Sequence, residues 1–247
     1  MTVVTPVLNG VRFLAETLAS VRGQDYPRIE HIVVDGGSTD GTLDLLGRAE
    51  GIRWVSKPDR GLYDAVNKGF RLARGEILGY QNSDDRYVVP GAVSAAADVL
   101  AKRPEVDVVY GDYRLIDEEG RPLATRRVTA RPFSVHRLER SSFVPPQSAF
   151  VRRRVLEQGH WLDHELRLCA DWDWFLGMAR GGKMFHARPG VLSEFRVHPC
   201  SLTQSLGWSG VFKEWRRACR KRKVSLLRLL LHEVLLTSLR RRLGLPP

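Results

Sequence analysis

The chain has 247 residues, 43% hydrophobic and 27% charged, which describes a globular domain with room for a full core and excludes a disordered or collagen-like polymer. Its three cysteines, Cys169, Cys200 and Cys219, are scattered without a Cys-x-x-Cys pair, which argues against a disulfide framework or a cysteine zinc site and fits a reducing cytoplasm. The net charge of +11 is uneven: from Ser205 onward eleven Lys or Arg face two Glu, which is +9 and leaves +2 (11 − 9) for everything before it.

The start, Met1-Thr2-Val3-Val4-Thr5-Pro6, reads as a strand and lacks the basic segment, apolar core and cleavage site of a secretory leader. A helix is predicted over residues 11–21, then a strand at Ile32-Val33-Val34 and a helix from near Asp40. A third strand at Ile52 to Val55 precedes a helix over 62–73, and a fourth at 76–80 precedes a helix over 90–102. Short apolar strands alternating with helices imply an α/β fold with a mostly parallel central sheet covered on both faces. After the strand-like run 106–110 the rhythm changes. The turn signal Asp117-Glu118-Glu119-Gly120 predicts a hairpin within 113–128, and 129–146 reads as irregular. A strand near 147–151 and a helix over 170–180 follow. No stretch reaches the roughly 18 uncharged apolar residues of a membrane span.

Chemistry-bearing residues fall where these strands end, the side on which open α/β sheets bind ligands. Asn82-Ser83-Asp84-Asp85 follows the fourth strand. Adjacent carboxylates repel unless a cation lies between them, so a hard divalent metal carrying a diphosphate is one reading and a solvated turn the other. Thr5-Pro6-Val7-Leu8-Asn9 could hold a base or ribose, or could be an ordinary strand-to-helix loop. In Val34-Asp35-Gly36-Gly37-Ser38-Thr39-Asp40, Asp35 ends a buried strand and the glycines allow close approach of backbone, whereas Ser38 and Asp40 suit helix capping. Neither the phosphate-binding Gly-x-x-x-x-Gly-Lys nor the dinucleotide Gly-x-Gly-x-x-Gly pattern is present there. Lys68 in Gly61-Leu62-Tyr63-Asp64-Ala65-Val66-Asn67-Lys68 either meets a phosphate or belongs to a solvated helix face. Asp171, at the start of a helix anchored by Trp172, Trp174 and Phe175, points towards a cleft or caps the helix; Asp173 reads as structural. His198 follows the strand-like Phe195-Arg196-Val197 and joins a metal site only if the chain returns to the mouth of the sheet.

In this order, these segments together resemble the family 2 glycosyltransferases over roughly residues 1–204. The resemblance implies a GT-A fold, a nucleotide-diphosphate-sugar donor and inversion at the anomeric carbon. By position it implies that Thr5, Pro6, Asn9 and Asp35 hold the nucleoside, with Lys68, Asn82 and Asp84 also on the donor. It further implies Mg²⁺ or Mn²⁺ as cofactor, Asp85 as the direct metal ligand, His198 as a looser metal contact and Asp171 as the catalytic base. Ala170 stands where an acid usually precedes that base, and the Gln-x-x-Arg-Trp signature of processive synthases is absent, so transfer of single sugars is expected. The acceptor would be a glycan or a lipid-linked precursor of a surface polysaccharide. The alternatives are a sugar nucleotidyltransferase and a non-catalytic nucleotide- or membrane-surface binding protein.

Residues 205–247 are expected to form a basic helical tail, separate from a catalytic domain at 1–204. Beside the basic cluster 213–223, an amphipathic helix over 224–239 suggests peripheral contact with the inner face of the plasma membrane, or packing on the domain or a second subunit. Nucleic acid is disfavoured because no recognition motif accompanies the basic run, and an oligomer is left open.

Overall fold

The computed structural model describes residues 1–88, 90–202 and 207–227. The chain alternates β1 (Thr2–Val7), α1 (Val11–Arg22), β2 (Glu30–Asp35), α2 (Thr42–Arg48), β3 (Ile52–Ser56), α3 (Leu62–Leu72) and β4 (Ile77–Tyr80). A two-residue strand β5 (Arg86–Tyr87), helix α4 (Ala92–Lys102) and the hairpin of β6 (Val108–Ile116) and β7 (Pro122–Arg126) come next. The short helix α5 (Val135–Leu138), β8 (Ala149–Arg152), α6 (Arg153–Glu157), α7 (Ala170–Arg180), β9 (Phe185–Arg196) and α8 (Gly207–Lys221) complete the described elements.

The strands join one sheet in the order β3-β2-β1-β4-β8-β6-β9-β5, with β7 paired to β6. The first four are mutually parallel, as the βαβα rhythm predicts. Beyond β4 the sheet becomes mixed: β8 runs antiparallel to both β4 and β6, and β9 parallel to β6. Of the twelve-residue β9 only the end, near the strand-like Phe195-Arg196-Val197, is foreseen by the sequence; the earlier part has no counterpart there, because Arg188-Pro189-Gly190 looks like a break. The structure absorbs that stretch as register shifts against Gly111 and Asp112.

Alternation along the central strands explains the layering. Val4, Ile32 and Val34 face α3 and α7, Val7 and Val33 face α1 and α2, and Val3 packs with α4. Each such side chain contributes about 1.5–3 kcal/mol by leaving water. A β-carbon on Gly69 would overlap Val4, so this glycine sets how closely α3 approaches β1. Strand order reverses between β1 and β4, the point where a parallel sheet opens a crevice. β4 pairs with β1 only over Thr2–Val4 and then diverges. Pro6, which has no N–H to donate, sits on β1 beyond that pairing and flanks the crevice.

Among the described residues no helix is long and apolar enough to cross a membrane. The predicted helix over 224–239 lies almost wholly outside the described residues. What is described is α8, one element earlier, and its inner face packs on the body. Ala218 and Cys219 are buried and Trp215 meets Trp172 with ring centroids 5.2 Å apart. Asp173, fully buried, accepts hydrogen bonds from Arg222 at 2.6 and 2.8 Å and from Lys221 at 2.8 Å. The structural reading of Asp173 matches this placement, and the expected boundary at 204/205 falls ahead of a helix fixed to the body.

Candidate functional site

The crevice between β1 and β4 widens into a cavity of about 710 Å³, a size suited to small-molecule ligands. Pro6 to Leu8 from the end of β1, Asn82 to Asp84 after β4, and Arg167, Leu168 and Asp171 at the start of α7 form its walls. Asp59 and Tyr63 at the start of α3, Tyr113 and Leu115 of β6, and the 143–147 segment close it. A larger, more open groove of about 1050 Å³ lies between α1, α2 and the ends of β2 and β3. It holds none of the predicted site residues and is lined by α1, α2 and the loops that follow them, away from the strand ends that carry the chemistry, so it is not the site.

The turn after β4 is held from below. Thr17 Oγ1 donates to the Asp85 carbonyl at 2.6 Å and reaches those of Ser83 and Asn82. Arg196, only 1% exposed, donates from its guanidinium to the carbonyls of Asp84 and Glu118 and to the Glu16 carboxylate, with Phe13 beneath it. This buried cation ties α1, the β4 turn and the β6–β7 hairpin together.

The two acids of the turn point in opposite directions. Asp84 lines the cavity, and its Oδ2 lies 2.9 Å from His198 Nε2. His198 therefore does return to the mouth of the sheet, carried there by β9. Asp85 is 1% exposed and does not line the cavity. Its Oδ1 accepts the Arg196 backbone N–H at 2.8 Å and its Oδ2 the Asn82 amide at 3.0 Å. Burial, then the neighbouring Asp84 charge, push its carboxyl well above the ordinary range. The expectation that Asp85 is the direct metal ligand thus meets a carboxylate already used by the fold. Asp84 with His198 is the pair in position. Among the described residues no three metal-ligating side chains cluster. One carboxylate and one imidazole nevertheless fit Mg²⁺ or Mn²⁺, because such ions keep several waters and take phosphate oxygens when a substrate carries them. Two buried polar atoms beside this pair, Asn82 Oδ1 and His198 Nδ1, have no hydrogen-bond partner in the protein.

On the facing wall, Asp171 is half-buried at the first turn of α7. Its Oδ1 accepts the Trp172 N–H at 2.8 Å and lies 3.4 Å from the Tyr63 hydroxyl, which donates more closely to the Leu168 carbonyl at 3.0 Å. Burial pushes the Asp171 carboxyl up to about 6, and these hydrogen bonds only partly offset it. A carboxylate of that pKa takes a proton readily near neutral pH.

Of the other predicted donor contacts, Pro6 and Asn82 line the cavity, whereas Thr5, Asn9, Asp35 and Lys68 do not. Thr5 Oγ1 is 2.9 Å from the buried His31 ring, whose pKa burial lowers to about 4. Asn9, in the left-handed region at φ 51°, clasps the next loop by donating its N–H to Ser38 Oγ and accepting from Thr39 N–H. Asp35 is wholly buried. Burial would raise it, but donors from Ser38, Ser56 and Gly37 hold its carboxyl below the ordinary value. Lys68 donates to the Pro58 carbonyl at 2.9 Å and pairs with Asp64 at 3.1 Å, bracing the loop before α3. That loop delivers Asp59, which sequence reasoning passed over. A β-carbon on Gly36 would stand 2.6 Å from Asp59 Oδ2. The glycine pair after Asp35 was the available signal that something approaches there. Tyr63, with its link to Asp171, carries no local signal of a role beyond its place at the start of α3.

Residues 2–159 match the family described as Glycosyl transferase family 2. An uncharacterized glycosyltransferase of Mycobacterium tuberculosis is 33% identical over 187 residues, covering 72% of this chain and 68% of the relative. A PGL/p-HBAD biosynthesis glycosyltransferase of Mycobacterium bovis is 29% identical over 176 residues, covering 69% of this chain and 66% of the relative. Among solved structures, Staphylococcus aureus TarS (1–349) in complex with UDP-GlcNAc superposes with a TM-score of 0.71 at 18% identity, covering 88% of this chain and 65% of that one. A mannosyltransferase from Pyrobaculum calidifontis in complex with GDP-Man and Mn²⁺ superposes with a TM-score of 0.68 at 23% identity, covering 94% and 68%. At these identities the structural likeness speaks for the fold alone, and that fold is the GT-A fold of glycosyltransferases.

Proposed function

The chain belongs to glycosyl transferase family 2, and from that premise we propose that it transfers a single sugar, with inversion, from a nucleotide-diphosphate-sugar to an acceptor hydroxyl. One observation carries the reading: Asp84 and Asp171, brought from the end of β4 and the start of α7, line the same cavity. Neighbours that hold UDP-GlcNAc or GDP-Man support a nucleotide-sugar donor.

In this reading Asp84 and His198 hold Mg²⁺ or Mn²⁺, a choice supported by the Mn²⁺ of the mannosyltransferase. When bound, the metal neutralises charge that grows on the diphosphate as the sugar–phosphate bond breaks. Asn82 offers its unpartnered Oδ1 to the donor, and Pro6 and Asp59 form the nucleoside wall. Thr5, Asn9, Asp35 and Lys68 act on the donor through the loops they brace. Asp171 accepts the acceptor's hydroxyl proton as that oxygen attacks the anomeric carbon opposite the departing diphosphate. One C–O bond forms, the sugar–phosphate C–O bond breaks, and the nucleoside diphosphate leaves with the bonding electron pair. The acceptor is a glycan or lipid-linked precursor of a surface polysaccharide, which places the reaction at the cytoplasmic face of the membrane.

A panel of sugar nucleotides with Mg²⁺ or Mn²⁺ tests this, read as release of nucleoside diphosphate in the presence of glycan acceptors. One donor should turn over, chelation should stop it, and Asp84→Asn should weaken the metal dependence. Donor binding without turnover by any member of the panel would overturn the reading.

A further inference from the structure

The two faces of α8 are chemically different. Its inner polar residues are all engaged: Glu214 with backbone N–H groups, Arg217 with Glu165, and Lys221 and Arg222 with Asp173. On the outer face, Lys213, Arg216 and Arg220 follow one another at steps of three and four residues, which aligns them in one stripe, and Lys223, in the left-handed region at φ 52° just past the helix end, extends the basic run. All four are exposed, and none has a side-chain partner among the described residues. Near the two ends of the stripe stand exposed apolar side chains, Phe212 at 46% and Leu227 at 66%.

We propose that this stripe docks on an anionic phospholipid surface. Basic side chains flanked by exposed apolar ones are the arrangement that adsorbs at a headgroup layer. A nucleic-acid platform would instead interleave aromatic side chains with the cations to stack bases, and Phe212 stands at the end of the stripe, not between its cations. The helix is also bolted to the catalytic cavity. Glu214 Oε2 accepts the backbone N–H groups of Arg167 at 2.9 Å and Leu168 at 3.2 Å, and both residues line that cavity. The stripe is therefore linked through α8 to the loop that forms one wall of the cavity. The surface contact stands on α8 alone; its bearing on a lipid-linked acceptor rests on the glycosyl-transfer reading.

The test is co-sedimentation of the full chain with phosphatidylcholine vesicles, with and without phosphatidylglycerol, in the absence of substrate. Binding should require the anionic lipid and fall as salt is raised. The double variant Arg216→Glu/Arg220→Glu should lose at least about tenfold in vesicle affinity. It should keep the wild-type unfolding midpoint and donor turnover on a soluble acceptor. A variant that sediments like the wild type overturns the proposal, as does equal binding to neutral vesicles. Preference for single-stranded DNA over anionic vesicles at the same salt overturns it too. Turnover is read separately, so failure of the glycosyl-transfer reading would show as inactivity with vesicle binding intact.

Discussion

Glu214→Ala separates a merely appended tail from one that shapes the site. The carboxylate accepts two backbone N–H groups in the loop before α7, at 2.9 and 3.2 Å. Hydrogen bonds to a charged group contribute about 1.5–3 kcal/mol each. Arg167 is exposed, so water replaces most of the first bond; Leu168 is half-buried and its N–H is left poorly served. A net loss of about 2–3 kcal/mol in unfolding free energy follows. The same loop holds the Leu168 carbonyl, which accepts the Tyr63 hydroxyl, and that hydroxyl reaches Asp171. Loosening it should lower kcat about tenfold while the donor KM stays within about twofold, because misplacement of the base affects the reacting geometry more than donor binding. Glu214→Gln keeps an acceptor oxygen and should recover part of both losses. Urea denaturation and steady-state kinetics on the three proteins provide the test. Unchanged stability and unchanged kcat in Glu214→Ala would refute any role for α8 in holding the base.

Three further perturbations follow from the same geometry. Asp171 has its folded-state pKa raised from 3.8 to about 6, so the native state binds its proton more tightly than the unfolded chain, and stability is lost as pH rises across that window. Asp171→Asn should therefore be more stable than the wild type by about 1–3 kcal/mol at neutral pH, with the gain fading below about pH 4; denaturation at both pH values measures it. Gly36→Ala should push Asp59 from its place on the cavity wall, raising the donor KM several-fold with little change in stability, as titration of initial rates would show. Arg196→Met leaves the carbonyls of Asp84 and Glu118 without their buried donor, whereas the exposed Glu16 keeps Arg86, and should cost about 2–4 kcal/mol in thermal or chemical unfolding.

The parallel half of the sheet was legible because each strand there is an apolar run ending in turn residues, and the order of motifs pointed to the crevice beside Pro6. Asp171, Asp84 and His198 were legible as residue types at strand and helix ends. What the sequence does not encode locally is which of two adjacent carboxylates turns inward. Asp85 is claimed by Arg196, 111 residues away, so its burial depends on a partner that only the folded sheet supplies. Thr5, Asn9, Asp35 and Lys68 are likewise each engaged by a neighbouring loop or strand, partners that local sequence does not show. In α8 the signal was present but masked. Trp215, Ala218, Cys219 and Arg222 repeat at helical spacing along a buried face, within a run whose basic residues drew attention to the opposite face.

The assignment of Asp171 as the base is tested most directly by comparing transfer and donor binding in Asp171→Asn and the wild type across pH. The wild-type rate should rise with pH through about 6, the value to which burial lifts this carboxyl, and then level off. The variant should lose about 10²–10⁴-fold in transfer and lose that rise, with donor affinity within about twofold of the wild type. A variant that transfers within about tenfold of the wild type, or that retains the same rise near 6, would contradict the assignment.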